Sequence, residues 1–128
     1  MFGYRKIPYD ELNSRQKENY NFQKVAGHLA EYGFNCLKLS DDWQGADFLA
    51  CHVDGKAFLK IQLKGRMVID GKYADKDIHI AFLNGDDCYV YPHDEVRNRI
   101  AALGHKFEVR SWPQLPKWAR ELLADYKL

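Results

Sequence analysis

Asp47, Gln62 and Lys64 are the residues of this chain whose types and spacing best suit chemistry. They flank Asp54-Gly55, which lies between two apolar runs and is a favoured two-residue type I′ turn. With those two residues as the loop, Val53 faces Lys56 and Asp47 stands directly opposite Gln62. Side chains alternate along a strand, so Lys60, Gln62 and Lys64 share one face. Asp47 shares it too, with its Cβ about 5 Å from that of Gln62. Phe48, Ala50, Ala57, Leu59, Ile61 and Leu63 make the opposite, core-seeking face. An acid, an amide and a lysine thus converge on the polar side of an apolar hairpin. That set suits metal-assisted cleavage of a phosphodiester. Mg²⁺ takes oxygen ligands and keeps several waters, so a carboxylate, an amide oxygen, a backbone carbonyl and a substrate phosphate make a site. The ion lowers the pKa of a bound water and neutralises charge building on the phosphate. Lys64 is placed to position that water or to stabilise the developing anion. Taken singly, an Asp at a strand start or a Lys on a polar face is ordinary surface. Only the conjunction points to chemistry.

The surrounding segments must position these groups. Asn13 or Ser14 caps a helix running to about Tyr32, with Gly33 as its stop. Its buried stripe is Phe22, Val25, Ala26 and Leu29, and Glu18, one turn earlier, falls on that inward stripe. Residues 34–40 read as a strand and 41–45 as a loop. Residues 65–76 are polar, with two glycines, and read as an exposed segment. Residues 77–83 form a strand, 84–87 a turn and 88–91 a strand ended by Pro92. A short helix spans 93–103, residues 106–110 make a short edge strand, and Pro116 opens a terminal helix. The order is that of an α/β sandwich around one mixed sheet.

Bulk properties narrow the classes. A chain of 128 residues builds one domain with a real core. Net charge is +1, so affinity for nucleic acid must come from a local patch. The chain has no apolar run of membrane-spanning length and no signal-like start, so a cytoplasmic location is expected. Cys36, Cys51 and Cys88 are far apart and form no C-x-x-C pair, which argues for reduced thiols and against zinc. His28, His52, His79, His93 and His105 form no spaced ligand set.

Gly45-Ala46-Asp47, fifteen positions before Gln62-Leu63-Lys64, resembles the signature of the PD-(D/E)XK nuclease superfamily. It is most similar to the branch in which Gln replaces the middle acid, as in certain homing endonucleases. Residues 73–82 and Tyr89-Val90-Tyr91-Pro92 look like that branch's later strands. The resemblance covers about 14–95 and implies a restriction-endonuclease-like α-β-β-β-α-β core with a helical extension over about 96–128. It implies that Asp47 and Gln62 are metal ligands, that Lys64 is the catalytic lysine and that Glu18 is a helix-borne acid completing a Mg²⁺ or Mn²⁺ site. Asn21 is the rival for the place of Glu18. Ala46 stands where the signature has proline, and Gln62 removes one negative charge from the metal site. The activity implied is DNA cleavage, by a homodimer that pairs two sites to cut two strands. The alternative is a nuclease-fold module with a degraded site that binds nucleic acid or a protein partner.

Near the motif, Arg66, Lys72 and Lys76 with Tyr73 between them read as a phosphate-gripping segment, although Asp70, Asp75 and Asp77 offset their charge. Trp43 enters the motif and suits either packing or stacking on a base.

Overall fold

The computed structural model describes all 128 residues. The first helix, α1 (Ser14–Ala30), starts at a capping box. The Asn13 side chain accepts from Gln16 N at 2.9 Å, and the Gln16 side chain accepts from Asn13 N at 2.9 Å. It ends before Gly33, whose φ of 84° lies in the left-handed region that favours glycine. Val25 and Leu29 bury on the sheet, and Phe22 meets Phe48 edge-on at 4.9 Å.

Seven strands follow: β1 (Phe34–Trp43), β2 (Ala46–His52), β3 (Phe58–Leu63), β4 (Met67–Asp70), β5 (Ile78–Asn84), β6 (Asp87–Pro92) and β7 (Val109–Trp112). Helix α2 (His93–Ala102) follows β6, and α3 (Lys117–Leu123) follows β7. The main sheet has the order β1-β2-β3-β5-β6, with β3 and β5 parallel and the other pairs antiparallel. The expected class, a mixed sheet flanked by helices, is the one observed. The crossover from β3 to β5 carries β4 and a 3-10 turn (Gly71–Tyr73) where the expected order has a helix.

Each face of the sheet has its own core. One joins α1 to Phe48, Ala50, Ile61, Ala81, Cys88 and Val90. The other joins Ile78, Ile80, Phe82, Tyr89 and Tyr91 to β4, β7, α2 and α3. Strands β4 and β7 pair as a separate two-stranded sheet over this second face. The exposed segment expected at 65–76 is therefore a covering layer, with Met67 and Ile69 fully buried. Fully buried Tyr91 ties it down: its hydroxyl donates to Val68 O at 2.6 Å and accepts from Val68 N at 3.1 Å. His93, also fully buried, accepts from Asp70 N at Nε2 (3.1 Å), so its other nitrogen carries the proton toward Asp94 at 2.9 Å.

Two turns differ from expectation. The β2–β3 loop is four residues, 53–56, closed by His52 N to Ala57 O at 3.0 Å. Only Gly55 has positive φ there, whereas a type I′ turn needs two such residues. Asp54 instead accepts from Lys56 N (2.7 Å) and Ala57 N (3.0 Å) through its side chain. The two-residue turn with positive φ at both positions is Gln44-Gly45 (55° and 85°), joining Trp43 to Ala46. Residues 41–43, expected in a loop, therefore extend β1.

All three cysteines are free. Burial pushes the Cys36 thiol up to about 11 and that of Cys88 up to about 12. No helix is long and apolar enough to cross a membrane.

Candidate active site

The β2–β3 register is the expected one: Phe48 pairs with Ile61, Leu49 with Lys60, Ala50 with Leu59. One step further along this register sets Asp47 against Gln62. Asp47 is half-buried, and its Oδ2 accepts from Leu63 N at 2.8 Å. In an extended residue the N–H and C=O point to the same edge, so the Leu63 carbonyl faces the Asp47 side as well. On its other flank, β1 bulges. Lys38 pairs with Phe48 and Trp43 with Ala46, so residues 39–42 stand opposite Asp47 alone. Asp42 lies within this bulge, close enough for its charge to act on Asp47. Burial raises the Asp47 carboxyl above the usual aspartate range, and the charges of Asp42 and Glu18 push the same way. The Leu63 N–H and Lys64 pull it down.

Gln62 lies beside Ile80 in the parallel ladder, half-buried, with no hydrogen bond to its amide within the protein. Lys64 is half-buried and forms no ion pair. Its Nζ lies 5.5 Å from the centre of the Tyr73 ring, and Lys72 Nζ lies 5.2 Å from the same ring. Lys60, on the same strand face, is committed to Lys76 O. Gln62 and Lys64 thus hold polar atoms that the fold does not use, one strand across from Asp47.

Glu18 is placed differently from expectation. It is exposed, in a groove with Arg15, Asn19, Lys38 and Ser40, because the buried stripe of α1 starts only at Phe22. Its charge reaches Asp47, but its carboxylate is not part of a tight cluster: no three His, Cys, Asp or Glu side chains converge as a cation site. Asn21 gives its amide to Tyr9 Oη at 3.0 Å and lines a groove with Lys64. Asp42 was not among the sequence candidates, yet it acts on Asp47 more strongly than Glu18 does. The signal was Gln44-Gly45: read as a hairpin turn, it puts both Asp41 and Asp42 on a strand beside Asp47.

The donor set that remains is Asp47, the Gln62 amide oxygen and the Leu63 carbonyl. Nothing in the protein donates to the second Asp47 oxygen. This fits a hard cation completed by water and substrate phosphate, not a cage made by protein alone.

Of the residues expected to grip nucleic acid, Arg66, Lys72 and Lys76 are exposed and Trp43 is 50% exposed without an aromatic partner. Tyr73 is not available: its ring is 4% exposed in the second core, edge-on to His93, so it cannot stack a base. Lys72 also lies 3.8 Å from Asp70, which spends part of its charge.

No family model matches the chain, and no curated protein matches it. Among solved structures, the chain is similar to a bacterial homing endonuclease, I-Ssp6803I, at 19% identity and a TM-score of 0.51. The alignment covers 82% of this chain and 78% of that one. The protein therefore has a restriction-endonuclease-like fold. At this identity the likeness is one of fold.

Proposed function

We propose that this protein is a metal-dependent DNA endonuclease of the PD-(D/E)XK kind. One observation carries the reading: Asp47, Gln62 and Lys64 converge across β2 and β3, with atoms the fold leaves unused, in a fold shared with a homing endonuclease. Asp47, Gln62 and the Leu63 carbonyl would hold Mg²⁺ or Mn²⁺, which supplies an activated water and charge neutralisation at the phosphate. Leu63 N–H fixes one Asp47 oxygen and so aims the other. Lys64, free of any ion pair, gives a proton or a positive charge to the oxyanion as it forms. Asp42 and Glu18 add negative potential without occupying ligand positions, which offsets the charge lost at Gln62. Arg66, Lys72 and Lys76 meet the phosphates, and Trp43 projects from the β1–β2 turn toward the duplex. One site per subunit suits a homodimer that cuts both strands.

The second reading is a binding module of the same fold. The single carboxylate at the centre of the site favours it. The test is cleavage of plasmid and single-stranded DNA with Mg²⁺ or Mn²⁺, run beside Lys64→Ala and Asp47→Ala. Nicking that both substitutions abolish establishes the nuclease. No cleavage, no heat of metal binding with or without DNA present, and DNA binding that persists in chelator favour the binding module instead.

A further inference from the structure

The nuclease reading leaves unexplained a cluster along one face of α1. Lys17, Tyr20, Asn21 and Lys24 follow i, i+3, i+4, i+7 spacing and so share one helix face. Tyr9, from the segment before the helix, lies on them. Its ring is 5.3 Å from that of Tyr20, its hydroxyl takes the Asn21 amide, and Lys17 Nζ sits 5.3 Å from its centre. Lys24 Nζ sits 5.4 Å from the centre of Tyr20. Both tyrosines stay about 40% exposed (39% and 40%). Neither Lys17, Lys24 nor Lys64 has an acidic partner. Tyr9, Tyr20 and Asn21 form one wall of a groove of about 380 Å³, and Lys64 forms part of the other, with Asp86 the sole acid along it.

We propose that this groove is a second nucleic-acid contact, which leads one strand of the substrate along α1 to Lys64 and the Asp47 site. The proposal rests on the nuclease reading for its destination, and on three unpaired lysines, two exposed tyrosines and a shared Lys64 for its chemistry. Unneutralised cations beside exposed aromatic faces suit a phosphate backbone and the bases next to it. From Lys17 to Lys24 the helix rises about 10 Å. That matches about three nucleotides at 3.4 Å each. If Tyr9 and Tyr20 only pinned the N-terminal segment to α1, no row of uncompensated lysines would be needed beside them.

The test measures anisotropy of a labelled duplex and a labelled single strand across a salt series, in chelator so that nothing is cut. Lys17→Ala/Lys24→Ala is compared with the parent and with Lys56→Ala/Lys106→Ala, two exposed lysines outside the groove. Loss of two phosphate contacts should flatten the plot of log affinity against log salt by about 1.8 for the duplex and about 1.4 for the single strand, which weakens binding at 0.1 M salt roughly sixty-fold and roughly twenty-five-fold respectively. Tyr9→Ala/Tyr20→Ala should weaken the single strand more than the duplex, with the salt slope kept. Thermal melts confirm that each variant is folded. An unchanged slope in the Lys17/Lys24 variant, or an equal change in the control, overturns the groove while the nuclease reading stands. A parent that binds no DNA at all overturns both.

Discussion

Gly45→Ala isolates the turn that delivers Asp42, Trp43 and Asp47 to one place. Gly45 has φ 85°, in the left-handed region where a residue with a Cβ costs about 1–2 kcal/mol. Sterics add nothing, because the new Cβ would stand 3.5 Å from the Ile78 side chain and 3.6 Å from the Tyr73 ring, ordinary contact distances. The unfolded chain loses some freedom with Ala, which returns about 0.5 kcal/mol. The net loss is about 1 kcal/mol. For a chain of this length that is about 4 °C in Tm. Gln44 has φ 55° and is the one residue of the turn that strains, since the preferred pair is Asn-Gly. Gln44→Asn should therefore raise Tm by about 2 °C. Scanning calorimetry reads both, and cleavage at 25 °C should be close to parental in each, because neither side chain is asked to do chemistry. A neutral Gly45→Ala, or a Gln44→Asn that melts lower than the parent, refutes the type I′ assignment and with it the placement of Asp42 beside Asp47.

Other consequences follow from single contacts. Cation binding needs ionised Asp47, whose carboxyl is raised by burial and then by Asp42 and Glu18, so metal affinity should fall away with acid at a higher pH than for an ordinary aspartate. Asp42→Asn removes one repelling charge and should move that limb to lower pH, while weakening the cation several-fold at the plateau. Calorimetric titration across about pH 4–7 shows it, and an unmoved limb excludes Asp42 from the site. Tyr91→Phe leaves both the N–H and the carbonyl of Val68 unpaired under the β4 layer, a loss of about 2 kcal/mol by denaturant titration. A loss under 0.5 kcal/mol would mean that the hydroxyl does not anchor β4. His79 has a buried Nδ1 with no partner, and burial lowers its pKa although Asp77 and Glu95 oppose the shift. The unfolded chain then binds the extra proton, so stability should fall as pH drops through the ordinary histidine value of 6.5, and His79→Leu should flatten that fall.

The hairpin register was legible in the sequence even though its turn was misread. A loop of residues 54–55 and a loop of 53–56 have the same centre, so either one pairs Phe48 with Ile61. Parity was also set by burial: a slip of one residue would turn Phe48 and Ile61 to the wrong face. Helix α1 was legible from its cap, since Asn13 and Gln16 satisfy each other locally. What was not legible depends on distant partners. Strand β4 is four residues long and pairs with β7, so that Met67 meets Trp112 across a long stretch of chain. Nothing near Met67 announces that pairing. The burial of Tyr73 follows from it, because the 3-10 turn that carries Tyr73 is held down by the same layer. Glu18 continues the spacing of the buried stripe in the sequence, but that stripe starts only at Phe22, which leaves Glu18 exposed beside Lys38 and Ser40 of β1.

The charge layout of the site argues for a cation shared with the substrate. Two carboxylates in direct contact with a divalent ion would bind it in the free protein and cancel its charge, which leaves less attraction for the incoming phosphate. Here one carboxylate, Asp47, is held by Leu63, and the second position is the neutral amide of Gln62. Asp42 and Glu18 are near enough to raise the Asp47 pKa, so they lend attraction to a cation from outside the ligand positions. Their exposure lets salt and solvent screen them, so they repel phosphate less than a buried acid would. Lys64, which has no ion pair, lines the groove that runs from this site toward Tyr20 and Asn21 of α1. Restoring the acid with Gln62→Glu should therefore tighten the metal in the absence of DNA and weaken DNA binding in the absence of metal. Separate titrations with Mg²⁺ alone and with DNA in chelator read the two effects. Should both affinities move in the same direction, the neutral amide is not what balances cation against phosphate, and the site works by another arrangement.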